Sequence, residues 1–252
     1  MGSIKRKIND LIATIYPKKE YVKIDGSIIA SPDRRYCGKE FKDDSYYIKS
    51  AEAEAKRLIE NFQINQDINL LDIGCGQGRL PIGLVRLLGE INYYGLDVDR
   101  HSIKWCNKYI NRFFPTFSFA HLDFYNERYN KKGVKLDENF RFNFEEHYFD
   151  VIYLYSVFSH TTREDMLIYL DEFKRILKPG GRVFFTTFVE DTAIDYEVNP
   201  KDYYLKISGP LHVVRYNKDY LLSIIRELGY LITKFDHGNE TNGQSGLYLE
   251  LK

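Results

Sequence analysis

The sequence predicts an α/β fold, a mostly parallel sheet with helices on both faces. Three observations carry this. From residue 68 onward, apolar runs of strand length alternate with segments whose apolar residues recur at helical spacing. The first of these strands runs into a glycine-rich turn that opens a helix. Acids then stand at three successive strand ends, where sheets of this kind receive ligands.

The elements follow in order. Ile4, Ile8, Leu11, Ile12 and Ile15 form one stripe, so residues 4–15 read as an amphipathic helix packed on its own domain, with Lys5, Arg6 and Lys7 opposite and a helix on a membrane surface or over a substrate as the alternatives. Residues 16–45 read as irregular, broken by Pro17, Gly26, Pro32 and Gly38. A helix is expected over 46–62, where Ala51, Ala55, Leu58, Ile59 and Phe62 share a face. Residues 68–73 form a buried strand, and a helix runs from the glycine turn through Leu88. Residues 92–96 are the next strand, and its helix carries Ile103, Cys106, Ile110 and Phe113. Residues 116–121 make a third strand, with Phe117 and Phe119 alternating, and a long polar-aromatic connection covers 122–148.

A fourth strand spans 150–155. Thr162 to Asp165 has the pattern of a capping box, and the helix behind it aligns Met166, Leu167, Leu170, Phe173, Ile176 and Leu177. Lys178-Pro179-Gly180-Gly181 stops that helix, and 182–189 is a fifth strand. Residues 191–216 read as irregular. Leu221, Ile224, Ile225 and Leu228 mark a further helix, and strands at 230–235 and 247–251 close the chain. The 252 residues are expected to form one domain: a helical cap over 1–62, a binding core over 66–190, an insertion over 191–216 and closing elements over 217–252.

Composition narrows the function. Lys plus Arg and Asp plus Glu both number 36, so there is no overall basic surplus for a nonspecific polyanion binder. Tyr 21 and Phe 17 give an aromatic share of 15%, and tyrosine can line a pocket while still hydrogen-bonding. Cys37, Cys75 and Cys106 are too few for a disulfide framework, and neither a CxxC pair nor a Cys/His cluster points to zinc. No apolar run approaches the ~18 residues of a membrane span, and no signal-peptide pattern is present. The expectation is a cytoplasmic protein without a metal.

Leu70-Leu71-Asp72-Ile73-Gly74-Cys75-Gly76-Gln77-Gly78-Arg79 places three alternate glycines between strand and helix. They permit a tight turn and close approach of a ligand to the backbone, beside the free N–H groups of a helix start. Arg79 stands where a dinucleotide fingerprint needs its third glycine, and the phosphate-loop pattern is absent. Asp97 in Tyr94-Gly95-Leu96-Asp97-Val98-Asp99 ends the second strand, about 20 residues beyond the loop, where an acid can accept from both ribose hydroxyls. Asp123 in Leu122-Asp123-Phe124 can accept from an adenine amino group, with Phe124 near the base.

With Phe149-Asp150-Val151-Ile152, Ser156-Val157-Phe158-Ser159-His160 and Leu177 to Gly181, these motifs resemble those of class I S-adenosylmethionine-dependent methyltransferases. The resemblance covers residues 66–190 well and the closing elements more loosely. It implies a Rossmann-like, seven-stranded sheet with one antiparallel strand and S-adenosyl-L-methionine as cofactor. It also implies that Asp72, Gly74, Gly76 and Gly78 hold the methionine end, Asp97 the ribose and Asp123 the adenine. Cys75, Val98 and Phe124, which flank these positions, and Tyr155, at the end of the fourth strand, are expected to complete the cofactor site.

The strand-four loop lacks the Asn/Asp-Pro-Pro-aromatic sequence that resembles methylases of planar amino groups, which disfavours a nucleobase acceptor. His160 is the candidate general base, since a neutral imidazole takes a hydroxyl proton near pH 7. Its alternative is a histidine that shapes the loop. His212, in the irregular 191–216 segment, is the second candidate base, with an exposed loop histidine as its alternative. It, Phe158, Tyr21 and Tyr47 are expected to contact the acceptor, with Tyr36 and Tyr46 as further cover of cofactor or acceptor; ordinary packing is the alternative for the tyrosines. Residues 126–130 with Gly133 resemble a variant in relatives linked to surface sugars and specialised metabolites. The expected acceptor is therefore a glycan or nucleotide-linked sugar, methylated on a hydroxyl. N-methylation of a metabolite or peptide, and a noncatalytic cofactor-binding protein, are the competing readings.

Overall fold

The computed structural model describes residues 19–36 and 38–252; the helix expected over 4–15 and Cys37 lie outside the described residues. A hairpin of β1 (Tyr21–Ile24) and β2 (Ser27–Ala30) comes first, followed by α1 (Asp44–Phe62). The core then runs β3 (Asn69–Ile73), α2 (Arg79–Leu87), β4 (Asn92–Asp97), α3 (Arg100–Cys106), β5 (Phe117–His121), β6 (Phe149–Leu154), α4 (Arg163–Ile176) and β7 (Leu177–Glu190). The strands β8 (Tyr196–Val198) and β9 (Val214–Asn217), helix α5 (Lys218–Glu227), and strands β10 (Tyr230–Asp236) and β11 (Ser245–Leu251) complete it.

Seven strands lie in the order β10-β11-β7-β6-β3-β4-β5. Strands β7, β6, β3, β4 and β5 pair in parallel, and β11 runs antiparallel to both of its neighbours. The expected mostly parallel sheet with an inserted antiparallel strand is therefore present. Its sequence cause is alternation on strands buried from both sides. Leu70, Tyr93, Val151, Tyr153, Phe184 and Tyr248 face the layer under α1, α2 and the hairpin. Leu71, Ile152, Leu154, Val183, Phe185 and Leu247 face the layer under α4 and α5.

Local chemistry sets the helix starts. Asp43, Thr162 and Asn217 each accept a hydrogen bond from a backbone N–H one turn on, at 2.7, 3.2 and 3.1 Å. Such a cap contributes about 1 kcal/mol. Helix α1 crosses α2 where Gly83 has no side chain; a Cβ there would stand 2.0 Å from the Ala51 carbonyl oxygen. Only glycine allows that approach, and it seats α1 against α2 on one face of the sheet.

Three expectations are corrected. The irregular reading of 16–45 fails over β1 and β2, which pair in register through an Asp25-Gly26 turn; both turn residues have positive φ, as the commonest tight hairpin turn requires. The irregular reading of 191–216 fails at β8 and β9, which pair with each other, β9 also extending β7 in parallel. The third helix does not carry its face to Phe113. Regular helix ends at Cys106, a π-turn follows over Asn107–Asn111, and Phe113 is exposed. The longer turn shifts the facing of every later side chain.

Candidate cofactor and acceptor site

The glycine turn joins β3 to α2. Gly74, Gly76 and Gly78 have φ of 79°, 51° and 72°, a region that L side chains resist. Gly74 and Gly78 are also spatially required: a Cβ would stand 2.5 Å from Val157 Cγ2 and 2.3 Å from Ile110 Cδ1. Gly76 differs, since a Cβ there would meet nothing within 4 Å. The loop is pinned by neighbours on two sides and open at its middle glycine. The N–H groups of Gly74 and Cys75 donate to the Leu96 carbonyl at 2.7 and 3.1 Å, tying the turn to the end of β4.

Asp97 ends β4 and is 9% exposed. Its carboxylate accepts from Gly76 N–H and Asp99 N–H, each at 2.7 Å. Burial pushes its pKa up to about 6 against those two bonds. Asp72 is more deeply buried and accepts from the Tyr93 hydroxyl at 2.5 Å; burial pushes it up to about 8. A buried carboxylate with a raised pKa beside an open glycine loop fits a ligand that brings hydroxyl or ammonium donors. Leu122 N–H donates to the Asp97 carbonyl, which sets Asp123 at the adjacent strand end. Asp123 is half exposed, pairs with Arg100 at 3.2 Å and accepts from Asn130 Nδ2.

The other expected cofactor residues divide. Val98 follows Asp97 and is partly buried. Cys75 is buried with its sulfur beside Cys106, and burial raises the thiol well above its usual range. Its side chain belongs to the core and its backbone to the loop. Phe124 meets Phe140 edge-on at 4.5 Å within an aromatic group that includes Phe142 and Tyr169. Tyr155 faces α1, with Arg57 and Arg79 over its ring at 5.4 and 5.2 Å and its hydroxyl bonded to Thr241 and Glu240.

On the acceptor side, Tyr47 is 2% exposed under Arg35, Tyr21 packs on Tyr109 at 5.1 Å, and Phe158 is fully buried against Tyr169 and Phe185. These three pack within the fold. Tyr36 is exposed, and its hydroxyl donates to Asp99 at 3.1 Å. His160 and His212 do come together, their rings parallel within 9° and 6.4 Å apart. His160 Nδ1 lies 3.0 Å from the Leu211 carbonyl, and burial drives its pKa down to about 4. Val157, three residues earlier, is the residue that touches Gly74, so the His160 turn abuts the glycine loop.

Two groups escaped the sequence reading. A depression beside the end of β4 is lined by Arg34, Tyr36, Gln77, His101, Ser102 and Trp105. Gln77 sits inside the glycine loop and bonds Ser102 at 2.6 Å, so its position was the available signal. The second group lies under α1. There Arg79 pairs with Glu54, and Arg57 pairs with Glu240 at 2.6 Å, all largely buried. These residues stand far apart in sequence and no motif links them. Ser156, at φ 56°, turns the chain after β6 and is held by Thr186 and Gln244. Asp99 caps α3; burial raises its pKa, but the bonds from Ser102, His101 and Tyr36 together hold it below the usual carboxylate range. Among the described residues, no group of three or more His, Cys, Asp and Glu is placed to hold a metal, and no helix is long and apolar enough to cross a membrane.

Comparison with known proteins bears on the same region. A family model described as "Methyltransferase domain" matches residues 47–234, about three quarters of the chain. The tRNA U34 carboxymethyltransferase of Campylobacter curvus is 30% identical over 139 residues, 55% of this chain and 41% of that protein. The mitochondrial ubiquinone biosynthesis O-methyltransferase of Dictyostelium discoideum is 28% identical over 138 residues, 52% of this chain and 38% of that protein. The chain thus spans about two fifths of the length of these curated relatives. In structure it is similar to a SAM-dependent methyltransferase from Aquifex aeolicus, with a TM-score of 0.54 at 18% identity over 83% of this chain and 99% of that one. Sheet order, loop and family match agree, and the chain belongs to the class I S-adenosylmethionine-dependent methyltransferase family.

Proposed function

We propose that the protein is an O-methyltransferase acting on a hydroxyl of a small molecule, a sugar or sugar conjugate. The observation that carries this reading is the hydrogen bond at His160. A carbonyl oxygen only accepts, so Nδ1 facing Leu211 holds the ring's proton and Nε2 is the accepting nitrogen of the neutral imidazole. Either neutral tautomer can serve as a base, and this one leaves Nε2 to accept the proton.

S-adenosylmethionine supplies an electrophilic methyl group when bound. The chain's part is to hold it and to present an acceptor. Open space at Gly76 and positive φ through the loop suit close approach of the methionine end, beside Asp72. Asp97 is proposed to bind the ribose, and Asp123, with Val98 nearby, the adenine. Fixing the two reactants in line accounts for much of the rate in such a transfer. His160 takes the hydroxyl proton at Nε2.

The sugar assignment is supported by the character of residues 126–130 and by the exposure of Tyr36, Tyr129 and Tyr204. The O-methyltransferase among the relatives supports oxygen as the accepting atom. Transfer of labelled methyl from S-adenosylmethionine into separated pools of nucleotide sugars, glycans, amines, peptides and tRNA tests it. Label held as an ether in the sugar pools is expected. Label confined to amines, peptides or tRNA, or cofactor binding without any transfer, would overturn it.

A further inference from the structure

Among the described residues, most partly buried arginines are matched by carboxylates; Arg182, on the Phe62 carbonyl, is an exception. Arg57 meets Glu240, Arg175 meets Glu172, and Arg215 meets Glu190, Glu197 and Asp202. Arg128 is different. Its guanidinium donates to the Ser208 carbonyl at 2.7 Å, the Pro210 carbonyl at 3.4 Å and the Tyr129 hydroxyl at 3.2 Å, all neutral oxygens. Among the described residues it makes no ion pair.

Arg128 is held in place rather than loose. Asn126 Oδ1 accepts from the N–H groups of Arg128 and Tyr129, and Asn126 and Asn130 exchange two backbone bonds, closing a five-residue turn. Asn126 Nδ2 also donates to the His160 carbonyl, which fastens this turn to the candidate base. His212 approaches from the insertion. Its own N–H and that of Val213 donate to Asn199 Oδ1. Its Nδ1 accepts from Ser208 N–H at 2.9 Å, so Nε2 carries the ring's proton. The turn and the insertion thus bring a guanidinium and an imidazole N–H donor to one partly exposed place, next to the His160 ring. The cationic Arg128 lowers the pKa of both histidines, after burial, and no acid opposes it there.

Fixed donors with positive charge and no carboxylate partner are the chemistry that receives a phosphoryl group. We propose that Arg128 and His212 form a subsite for a phosphoryl group on the acceptor, a sugar phosphate or diphosphate whose hydroxyl lies at His160. The ring separation of 6.4 Å between His160 and His212 allows one small molecule to span both. The hydroxyl half of this assignment rests on the O-methyltransferase reading; the anion subsite does not.

Titrating the full chain with inorganic pyrophosphate at fixed ionic strength, while following the histidine ring resonances, tests the subsite. Saturable shifts at His212 and His160 are expected. Arg128→Gln should weaken binding about tenfold or more, the equivalent of one charge-assisted hydrogen bond, and Arg128→Lys should retain part of it. His212→Gln keeps an acceptor for Ser208 and provides a second variant that leaves the Arg128 turn intact. Its binding should also fall, read at His160. Malonate, run in parallel, separates phosphoryl from carboxylate recognition. No saturation, unchanged affinity in both Arg128→Gln and His212→Gln, or preference for malonate would overturn the proposal. Binding of the demethylated cofactor and transfer of labelled methyl to a sugar hydroxyl, measured on the same samples, separate the two readings. Normal cofactor binding without pyrophosphate binding removes the subsite alone. Pyrophosphate binding with no labelled methyl reaching a hydroxyl removes the O-methyltransferase reading and leaves the subsite.

Discussion

Asp97 and Gly76 are bonded to each other: the carboxylate at the end of β4 accepts the N–H of the middle loop glycine at 2.7 Å. The acid and the loop are therefore one structural unit. Asp97→Ala removes the anchor of the loop together with the proposed ribose acceptor. Cofactor affinity should fall by ~1.5–3 kcal/mol for each charge-assisted bond lost. Asp97→Asn, which keeps one accepting oxygen, should fall between. Calorimetric titration with the demethylated cofactor measures this, and full affinity in Asp97→Ala would remove Asp97 from the site.

The buried Asp72 predicts how stability depends on pH. Burial raises its pKa to about 8, far above the unfolded carboxylate, with Tyr93 donating to it. Between those two values the folded state holds a proton that the unfolded state has released, so stability falls as pH rises through that range. Asp97, raised to about 6, acts with the same sign at lower pH. His160, lowered to about 4, acts oppositely, and its effect is complete above ~6.5, the free histidine value. The window from pH 6.5 to 9 lies above the Asp97 and His160 effects. Burial also raises Glu54 and the Cys75 thiol, which act with the sign of Asp72, so comparison with Asp72→Asn singles Asp72 out. The thermal midpoint of the cofactor-free protein should decline across it, and Asp72→Asn should flatten the decline. Parallel curves for the two proteins would count against a raised Asp72.

Gly83 sets the seat of α1. Alanine there gains helix propensity of ~1 kcal/mol, but its Cβ would collide with the Ala51 carbonyl at 2.0 Å. A backbone atom cannot rotate away, so the helices must separate. Gly83→Ala should destabilise by ~1–3 kcal/mol net, seen as a lowered thermal midpoint. An unchanged or raised midpoint would mean that α1 shifts freely.

What the sequence disclosed follows from the range of the interactions involved. The sheet and the glycine loop were legible because strand alternation, glycine spacing and strand-end acids are local patterns. The β1–β2 hairpin was signalled by Asp25-Gly26, but Pro17, Pro32 and Gly38 around it masked the short runs as loop. Strands β8 and β9 are only three and four residues long and stand 15 residues apart, so their pairing depends on β7 and leaves little local trace. The same holds at the site. Arg57 and Glu240 are 183 positions apart, and their pairing is a product of the fold. Tyr47 and Phe158 show a related effect: their place before the core and in the strand-four loop is local, while their burial against Arg35 and against Tyr169 and Phe185 is set by the fold.

His160 offers the sharpest kinetic test because its environment fixes both its tautomer and its charge. The Leu211 carbonyl holds the proton on Nδ1, and burial, the largest influence, keeps the ring neutral down to about pH 4. A base in that state is ready throughout the neutral range, although its low basicity limits how far proton transfer assists the reaction. Catalytic turnover should therefore show no acid-side fall centred near 6.5, where an exposed histidine titrates. His160→Ala should lower kcat by the ~10²–10⁴-fold that general base catalysis supplies, while the affinity for demethylated cofactor stays near the parent value. A kcat that survives the substitution would make His160 a clamp for the Leu211–His212 segment. An acid limb that vanishes with His212→Gln instead would move the base to the neighbouring ring. Turnover as a function of pH in the parent protein and both variants distinguishes these outcomes directly, since the two histidines differ in burial while sharing the influence of Arg128.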